Sequence, residues 1–104
     1  MSLSFNTVKL EAVTIDGMEY LPEITVERRL RLGKISAERE MGSEVLDLIA
    51  ECFGSNKDVV RRKLDDFSIM AIYELMMYLM GGDEGLETLR AARNKGGKEG
   101  DSNA

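Results

Sequence analysis

The amino-acid sequence predicts an α+β fold that is mostly helical, with an N-terminal β-hairpin packed against three or four short helices and a disordered C-terminal tail. An Asp16-Gly17 pair lies between apolar residues, which is a strong signal for a tight hairpin turn. Residues 69–80 form an apolar run that only Glu74 interrupts, and this run is long and rich in helix-forming Met and Leu. From Gly81 onward glycine is frequent and apolar residues are few.

Length and composition predict one small domain. The chain has 104 residues, and its 43% hydrophobic content is normal for a globular protein. We expect residues 5–80 to form a single hairpin-plus-helices domain and residues 1–4 to be disordered or a cloning remnant. Residues 81–104 are expected to be a flexible Gly-rich tail, with room for one short helix at 83–93.

The residue types present argue against an enzyme. The chain has no histidine, which removes the commonest general base and the commonest metal ligand. Asp, Glu and Lys are not arranged convergently, so we expect no catalytic residue, no cofactor and no metal site. The one cysteine, Cys52, lies on the inward face of its predicted helix and is expected to be a small core residue.

The sequence also predicts where the protein works. No basic segment followed by an apolar stretch opens the chain, so a cytoplasmic location is expected. The apolar run over 69–80 is shorter than the roughly 20 residues that cross a bilayer, so we expect no membrane association. The net charge of −5 argues against a general affinity for nucleic acid.

Residues 5–21 are typical of a β-hairpin. Apolar residues alternate with polar ones up to Ala12, and the alternation changes phase between Ala12 and Val13. A two-residue Asp-Gly turn would place Ile15 opposite Met18 and Val13 opposite Tyr20.

The rest of the domain is predicted to be helical. A first helix is expected to end near Gly33. The segment from Ser36 to Gly42 is predicted to be a loop or a weak helical turn. A clear amphipathic helix follows and ends at Gly54. The expected N-terminal caps are, in chain order, Thr25, Ser43, Asn56 and either Asp65 or Asp66.

The last predicted helix of the domain is apolar nearly all the way round, so its two faces need separate explanations. At about 100° per residue, one face is expected to enter the core. It consists of Ile69, Ile72, Tyr73, Met76, Leu79 and Met80. The opposite face holds Met70, Glu74, Met77 and Tyr78, which are the predicted partner-binding residues because Met suits irregular apolar surfaces. The alternative is that this face is covered by other helices or by the hairpin.

Two basic clusters offer a different site. Arg28, Arg29 and Arg31 lie in the first predicted helix, and Arg61 and Arg62 lie in the third. They could bind phosphate, but no aromatic residue is interleaved to stack on bases. The alternative is a solvated surface neutralised by nearby carboxylates, for which the candidates are Glu27, Glu38, Glu40 and Asp58.

The order of elements resembles that of the tail assembly chaperones of long-tailed bacteriophages. The resemblance covers roughly Lys9 to Met80 and no motif in it is catalytic. It is carried by Val13-Thr14-Ile15-Asp16-Gly17-Met18-Glu19-Tyr20 and by Asp47-Leu48-Ile49-Ala50-Glu51-Cys52-Phe53-Gly54 through Asp65-Asp66-Phe67.

The resemblance implies a non-enzymatic helical protein in the cytoplasm of a bacterial host. It would bind and solubilise the tape-measure protein, help to recruit tail-tube subunits, and be absent from the mature virion. Such chaperones are often made in two lengths by a programmed ribosomal frameshift, and Gly97-Lys98 could be encoded by a slippery run of G and A. The Gly-rich tail would then be a linker to an extension that binds the tube protein.

Two alternatives to the chaperone stay open. One is a structural head–tail or tail component of the virion, and the other is a small regulator that binds nucleic acid through the two basic clusters. Self-association is expected in addition, through the apolar helix or a free hairpin edge, because a fully exposed Met-rich face would aggregate.

Overall fold

The computed structural model describes residues 2–5, 7–38 and 42–102, and for residues 95–102 it describes the backbone alone. The elements in chain order are β1 (Val13–Ile15), β2 (Met18–Tyr20), α1 (Val26–Glu38), α2 (Ser43–Glu51), a 3-10 turn (Gly54–Asn56), α3 (Lys57–Leu64) and α4 (Ile69–Ser102). A two-stranded antiparallel hairpin followed by helices confirms the predicted α+β, mostly helical fold class.

The hairpin has the register that the Asp-Gly turn predicts. Ile15 pairs with Met18 and Val13 pairs with Tyr20, and both turn residues, Asp16 and Gly17, have positive φ angles of 51° and 82°. The strands are shorter than the predicted hairpin, because after Tyr20 the chain leaves the ladder toward Pro22 and α1. Residues 7–12 therefore run alongside the helices without strand pairing in the described structure.

The predicted starts of α1 and α3 are correct, whereas the predicted end of α1 is wrong. Thr25 caps α1, because its Oγ1 accepts a hydrogen bond from the Arg28 N–H at 3.2 Å. α1 does not stop near Gly33 but continues to Glu38, since Leu32 is buried and Ile35 packs against the core. α3 begins after Asn56 as expected, although the Asn56 side chain makes no capping hydrogen bond.

The caps of α2 and α4 differ from the prediction. Gly42, not Ser43, occupies the cap position of α2, and no side chain bonds the free N–H groups there. Ser68 caps α4, since its Oγ accepts a hydrogen bond from the Ala71 N–H at 3.1 Å. Asp65 and Asp66 instead belong to the turn that ends α3, where the Asp66 N–H donates to the Lys63 carbonyl.

α4 is broken at Gly82, whose φ of 64° and ψ of −149° are not helical. We call residues 69–81 segment α4a and residues 83–102 segment α4b. Residues 83–93, for which the sequence suggests a short helix, lie inside α4b.

The core lies between the hairpin, α1, α2, α3 and one face of α4a. Its fully buried side chains include Leu32, Ile49, Phe53, Leu64 and Leu79. Burying a side chain of this size stabilises a fold by about 1.5–3 kcal/mol each, so this cluster is the main source of stability.

Candidate protein-binding face

One face of α4a is a core face, but it is not quite the predicted one. Ile72, Leu75, Met76 and Leu79 are buried, and this i, i+3, i+4, i+7 spacing is that of a single helical stripe. Ile69 was expected on this stripe and is 69% exposed. It is the first residue of the helix and lies beyond the edge of the core, while Leu75 completes the buried stripe.

The opposite face of α4a is partly covered by α4b, which folds back after Gly82. The Arg93 guanidinium donates from Nη1 to Glu74 Oε1 at 2.8 Å and from Nη2 to the Met70 carbonyl at 3.1 Å. Arg90 Nε lies 3.7 Å from the same Glu74 oxygen. The side chains of Glu74 and Arg93 are 32% and 25% exposed, so this ion pair is partly shielded from water.

The backbones of the two segments come close at Gly85. A Cβ atom added there would lie 2.5 Å from the Met77 carbonyl oxygen, nearer than real Cβ contacts allow. Glycine is therefore required at this crossing, since any side chain would force the segments apart. Met77 is half-buried as a result.

Tyr78 is covered from the other side by residues 7–12, which we call the N-terminal arm. The Tyr78 hydroxyl accepts a hydrogen bond from the Glu11 N–H at 2.7 Å and donates one to the Glu11 carbonyl at 3.3 Å. Because the arm has no strand partner, this pair of bonds takes the place of ladder bonds at Glu11.

The N-terminal end of α4a remains open. Ile69 is 69% exposed and Met70 is 56% exposed. Ile69 lines a groove of about 410 Å³, whose apolar lining also includes Leu46, Phe67 and Ile72. Arg61 and Asp65 form part of its polar margin.

The structure therefore divides the predicted partner-binding set. Met70 is accessible, whereas Glu74, Met77 and Tyr78 are partly covered by α4b and the N-terminal arm. Sequence analysis missed three residues of the open end, which are Ile69, Leu46 and Phe67. The signal that could have found Ile69 is its position directly after the Ser68 cap, at the end of the helix where the buried stripe has not yet begun.

The five arginines proposed for nucleic-acid binding are all engaged with groups of this chain. Arg61 bonds Asp47 and Asp65, both at 2.7 Å, and these carboxylates raise the pKa of its guanidinium. The other four contacts are Arg28 to the Glu23 carbonyl, Arg29 to the Leu79 carbonyl, Arg31 to the Glu51 carboxylate and Arg62 to the Asp58 carbonyl.

These contacts support the alternative of a solvated surface neutralised by carboxylates, although the carboxylates are not those expected. Asp47, Asp65 and Glu51 take the positions for which Glu27, Glu38 and Asp58 were the candidates. The remaining candidate, Glu40, lies outside the described residues.

Cys52 is a core residue, as predicted. Its side chain is fully buried and its thiol donates to the Leu48 carbonyl at 3.3 Å. Burial raises the pKa of the thiol from 9.0 to about 11, which keeps it protonated and unreactive at neutral pH. Within the described residues, no group of three or more His, Cys, Asp or Glu side chains could hold a metal ion.

The described part of the chain contains no helix with the length and apolar content needed to span a bilayer. Comparison of the sequence and the structure with family models, with curated proteins and with solved structures gave no match in any of the three.

Proposed function

We propose that this protein is a non-enzymatic tail assembly chaperone of a long-tailed bacteriophage. It binds and solubilises the tape-measure protein in the host cytoplasm, helps to recruit tail-tube subunits and is left out of the mature virion. The proposal starts from the sequence resemblance. The structural observation that supports it is the exposure of Ile69 and Met70 at the start of α4a, where Ile69 lines an apolar groove.

The chemistry of this end of α4a suits a long apolar client. Met70 is unbranched and polarizable, so it can adapt to client side chains of different shape. Leu46 and Phe67 are half-buried at the groove and provide apolar walls. Because Arg61 is already paired with Asp47 and Asp65, the margin presents few unpaired charges that would have to be desolvated on binding.

A chaperone must also release its client, and the small size of the open surface favours this. The groove of about 410 Å³ accepts only a few apolar side chains. A client held by so few side chains binds weakly and transiently, as small protein–protein interfaces do. A very long tape-measure protein offers many such segments, and several chaperone copies can bind it at once.

The direct test is co-expression with the tape-measure protein encoded near this gene. The wild-type chain is expected to keep that protein in the soluble fraction. An Ile69→Ser/Met70→Ser double variant is expected to leave most of it in the pellet, because two exposed apolar anchors are lost. The matched control is Val26→Ser/Leu30→Ser, which removes two apolar side chains of similar exposure (67% and 70%) from α1.

Four results would count against the proposal. Equal loss of solubility in both double variants would mean that general surface apolarity, and not this face, binds the client. Recovery of the protein from purified virions would favour a structural tail component. Steeply salt-dependent binding of nucleic acid would favour the regulator. A gene neighbourhood with no long helical reading frame downstream would remove the client itself.

A further inference from the structure

We propose that this protein forms a dimer by exchanging α4b between two copies, with Gly82 as the hinge. In the closed monomer α4b folds back on the α4a of its own chain. In the dimer Gly82 straightens and each α4b lies on the α4a of the other copy. The inference uses only contacts within this chain and does not depend on the client or on the phage assignment.

The hinge has an unusual backbone conformation. Gly82 has a φ of 64° and a ψ of −149°, a region of backbone conformation that only glycine adopts readily. One residue therefore reverses the direction of a helix of 34 residues. Short hinges under strain are the known setting for exchange of elements between copies.

The hinge is also confined by residues that pack against it. Gly82 is buried, and a Cβ atom added to it would lie 3.2 Å from the Lys9 carbonyl oxygen and 3.5 Å from Val8 Cγ1. The N-terminal arm thus lies over the reversal, and Tyr78 holds the arm through Glu11. In the closed form a residue larger than glycine would be crowded at position 82. In a straight helix the chain is not reversed there, so this crowding does not arise.

The contacts between α4b and α4a are specific in both charge and shape. Arg93 bonds both Glu74 and the Met70 carbonyl, and Gly85 allows the close crossing at Met77. Leu86 lines a groove with Leu75 and the hairpin residue Ile15. A second copy offers the same charges and the same crossing, so exchange forms these contacts again without a newly shaped interface.

The occupant is a second copy because an opened chain exposes two matching surfaces at once. Met77 and Leu86 would both lose cover when α4b detaches. Pairing two opened chains covers both surfaces of each, and the assembly closes with two-fold symmetry instead of growing into a fibre.

The main experiment compares Gly82→Ala with Gly81→Ala by size-exclusion chromatography with light scattering over a dilution series. Alanine at residue 82 strains the reversed hinge of each closed monomer but not the straightened hinge of the dimer, so the apparent Kd of the dimer should fall by about tenfold or more. Gly81 is the matched control, since a Cβ there meets nothing within 4 Å. Gly81→Ala should leave the dimer fraction close to that of wild type.

A second measurement covers the case in which Gly82→Ala does not fold. Glu74→Arg places a like charge beside Arg90 and Arg93, and Arg93→Glu places one beside Glu74. When the two single variants are mixed, an exchanged heterodimer contains the native pair at one interface and the charge-reversed pair at the other. A heterodimer is expected from the mixture, and the Glu74→Arg/Arg93→Glu double variant should regain the closed monomer.

The proposal is overturned if the mixed variants do not associate. It is also overturned if the dimer fraction responds equally to alanine at 81 and at 82, because the association would then be an ordinary surface contact. Strictly monomeric behaviour of wild type and Gly82→Ala across the dilution series has the same consequence.

Discussion

The two faces of α4a differ in what covers them. The side chains of Leu75, Met76 and Leu79 are buried against the other elements of the core by apolar contacts. Glu74 and Tyr78 are covered by α4b and the N-terminal arm through an ion pair and hydrogen bonds. Apolar contact with a packed core opens only when the domain unfolds, whereas a cover held by a few polar bonds can open locally. One short helix therefore serves both as a core element and as a surface that can be exposed.

The largest expected effect is on the core face. Leu79→Ala should lower the free energy of unfolding by about 3 kcal/mol, because a fully buried leucine leaves a cavity. Denaturant unfolding measures this loss. Met70→Ala is the control on the open end, and since Met70 is 56% exposed its cost should stay within about 0.5 kcal/mol. Equal losses of unfolding free energy in the two variants would mean that the core face and the open end contribute equally to stability.

The buried core should also make the free energy of unfolding depend on pH, through Cys52. Burial raises the pKa of this thiol from 9.0 to about 11, so between these values the unfolded chain releases the proton while the folded chain keeps it. The free energy of unfolding attributable to Cys52 should therefore be constant below pH 9 and fall as the pH rises toward 11.

Cys52→Ala is the control that isolates this contribution, since other groups titrate in the same range. The stability difference between wild type and Cys52→Ala should narrow as the pH rises from about 9 to 11. A difference that is constant over that range would show that water reaches the thiol in the folded protein.

A smaller effect is expected where α4b covers α4a. Arg93→Ala removes the bonds to Glu74 and to the Met70 carbonyl, and their partial exposure limits the loss to about 1 kcal/mol. Amide hydrogen exchange over residues 83–94 should become about fivefold faster, while exchange in α2 stays unchanged. Arg90→Ala, whose contact with Glu74 is longer at 3.7 Å, should change exchange less. Equal acceleration in α2 would mean that α4b opens only with the whole domain.

The smallest effect is expected at the N-terminal arm. Tyr78→Phe removes the two hydrogen bonds to Glu11 and should cost about 0.5 kcal/mol, at the low end for such bonds because the site is exposed. Trypsin should then cleave faster after Lys9. Tyr73→Phe, which removes a hydroxyl from the same segment, is the control. Unchanged cleavage in Tyr78→Phe would show that the arm is held by other contacts.

Features that depend on neighbouring residues were predictable from sequence. The hairpin register followed from Asp16-Gly17, because positive φ at two adjacent residues defines the turn and the turn defines the pairing. The Thr25 cap followed from a hydroxyl three residues before an otherwise unpaired N–H. The burial of Cys52 followed from its position directly after α2, in line with the apolar stripe of that helix.

Features that depend on distant residues were not predictable in this way. The pairing of Glu74 with Arg93 joins residues 19 apart, and it exists only because Gly82 reverses the chain. The exposure of Ile69 depends on where the core ends, which no helical periodicity reports. The partners of Arg61 lie on α2 and at the end of α3, so the neutralising carboxylates could not be chosen by nearness in sequence.

By itself the sequence determined the fold class, the hairpin turn and the excess of apolar residues in the last helix, since each follows from local backbone preference or from periodicity. Only the tertiary structure decided that Met70 stays open while Glu74, Met77 and Tyr78 are covered. The physical reason is that a surface is covered only when another segment of the chain packs against it. This packing depends on the backbone conformation of a single glycine and on charges that α4a and α4b bring together.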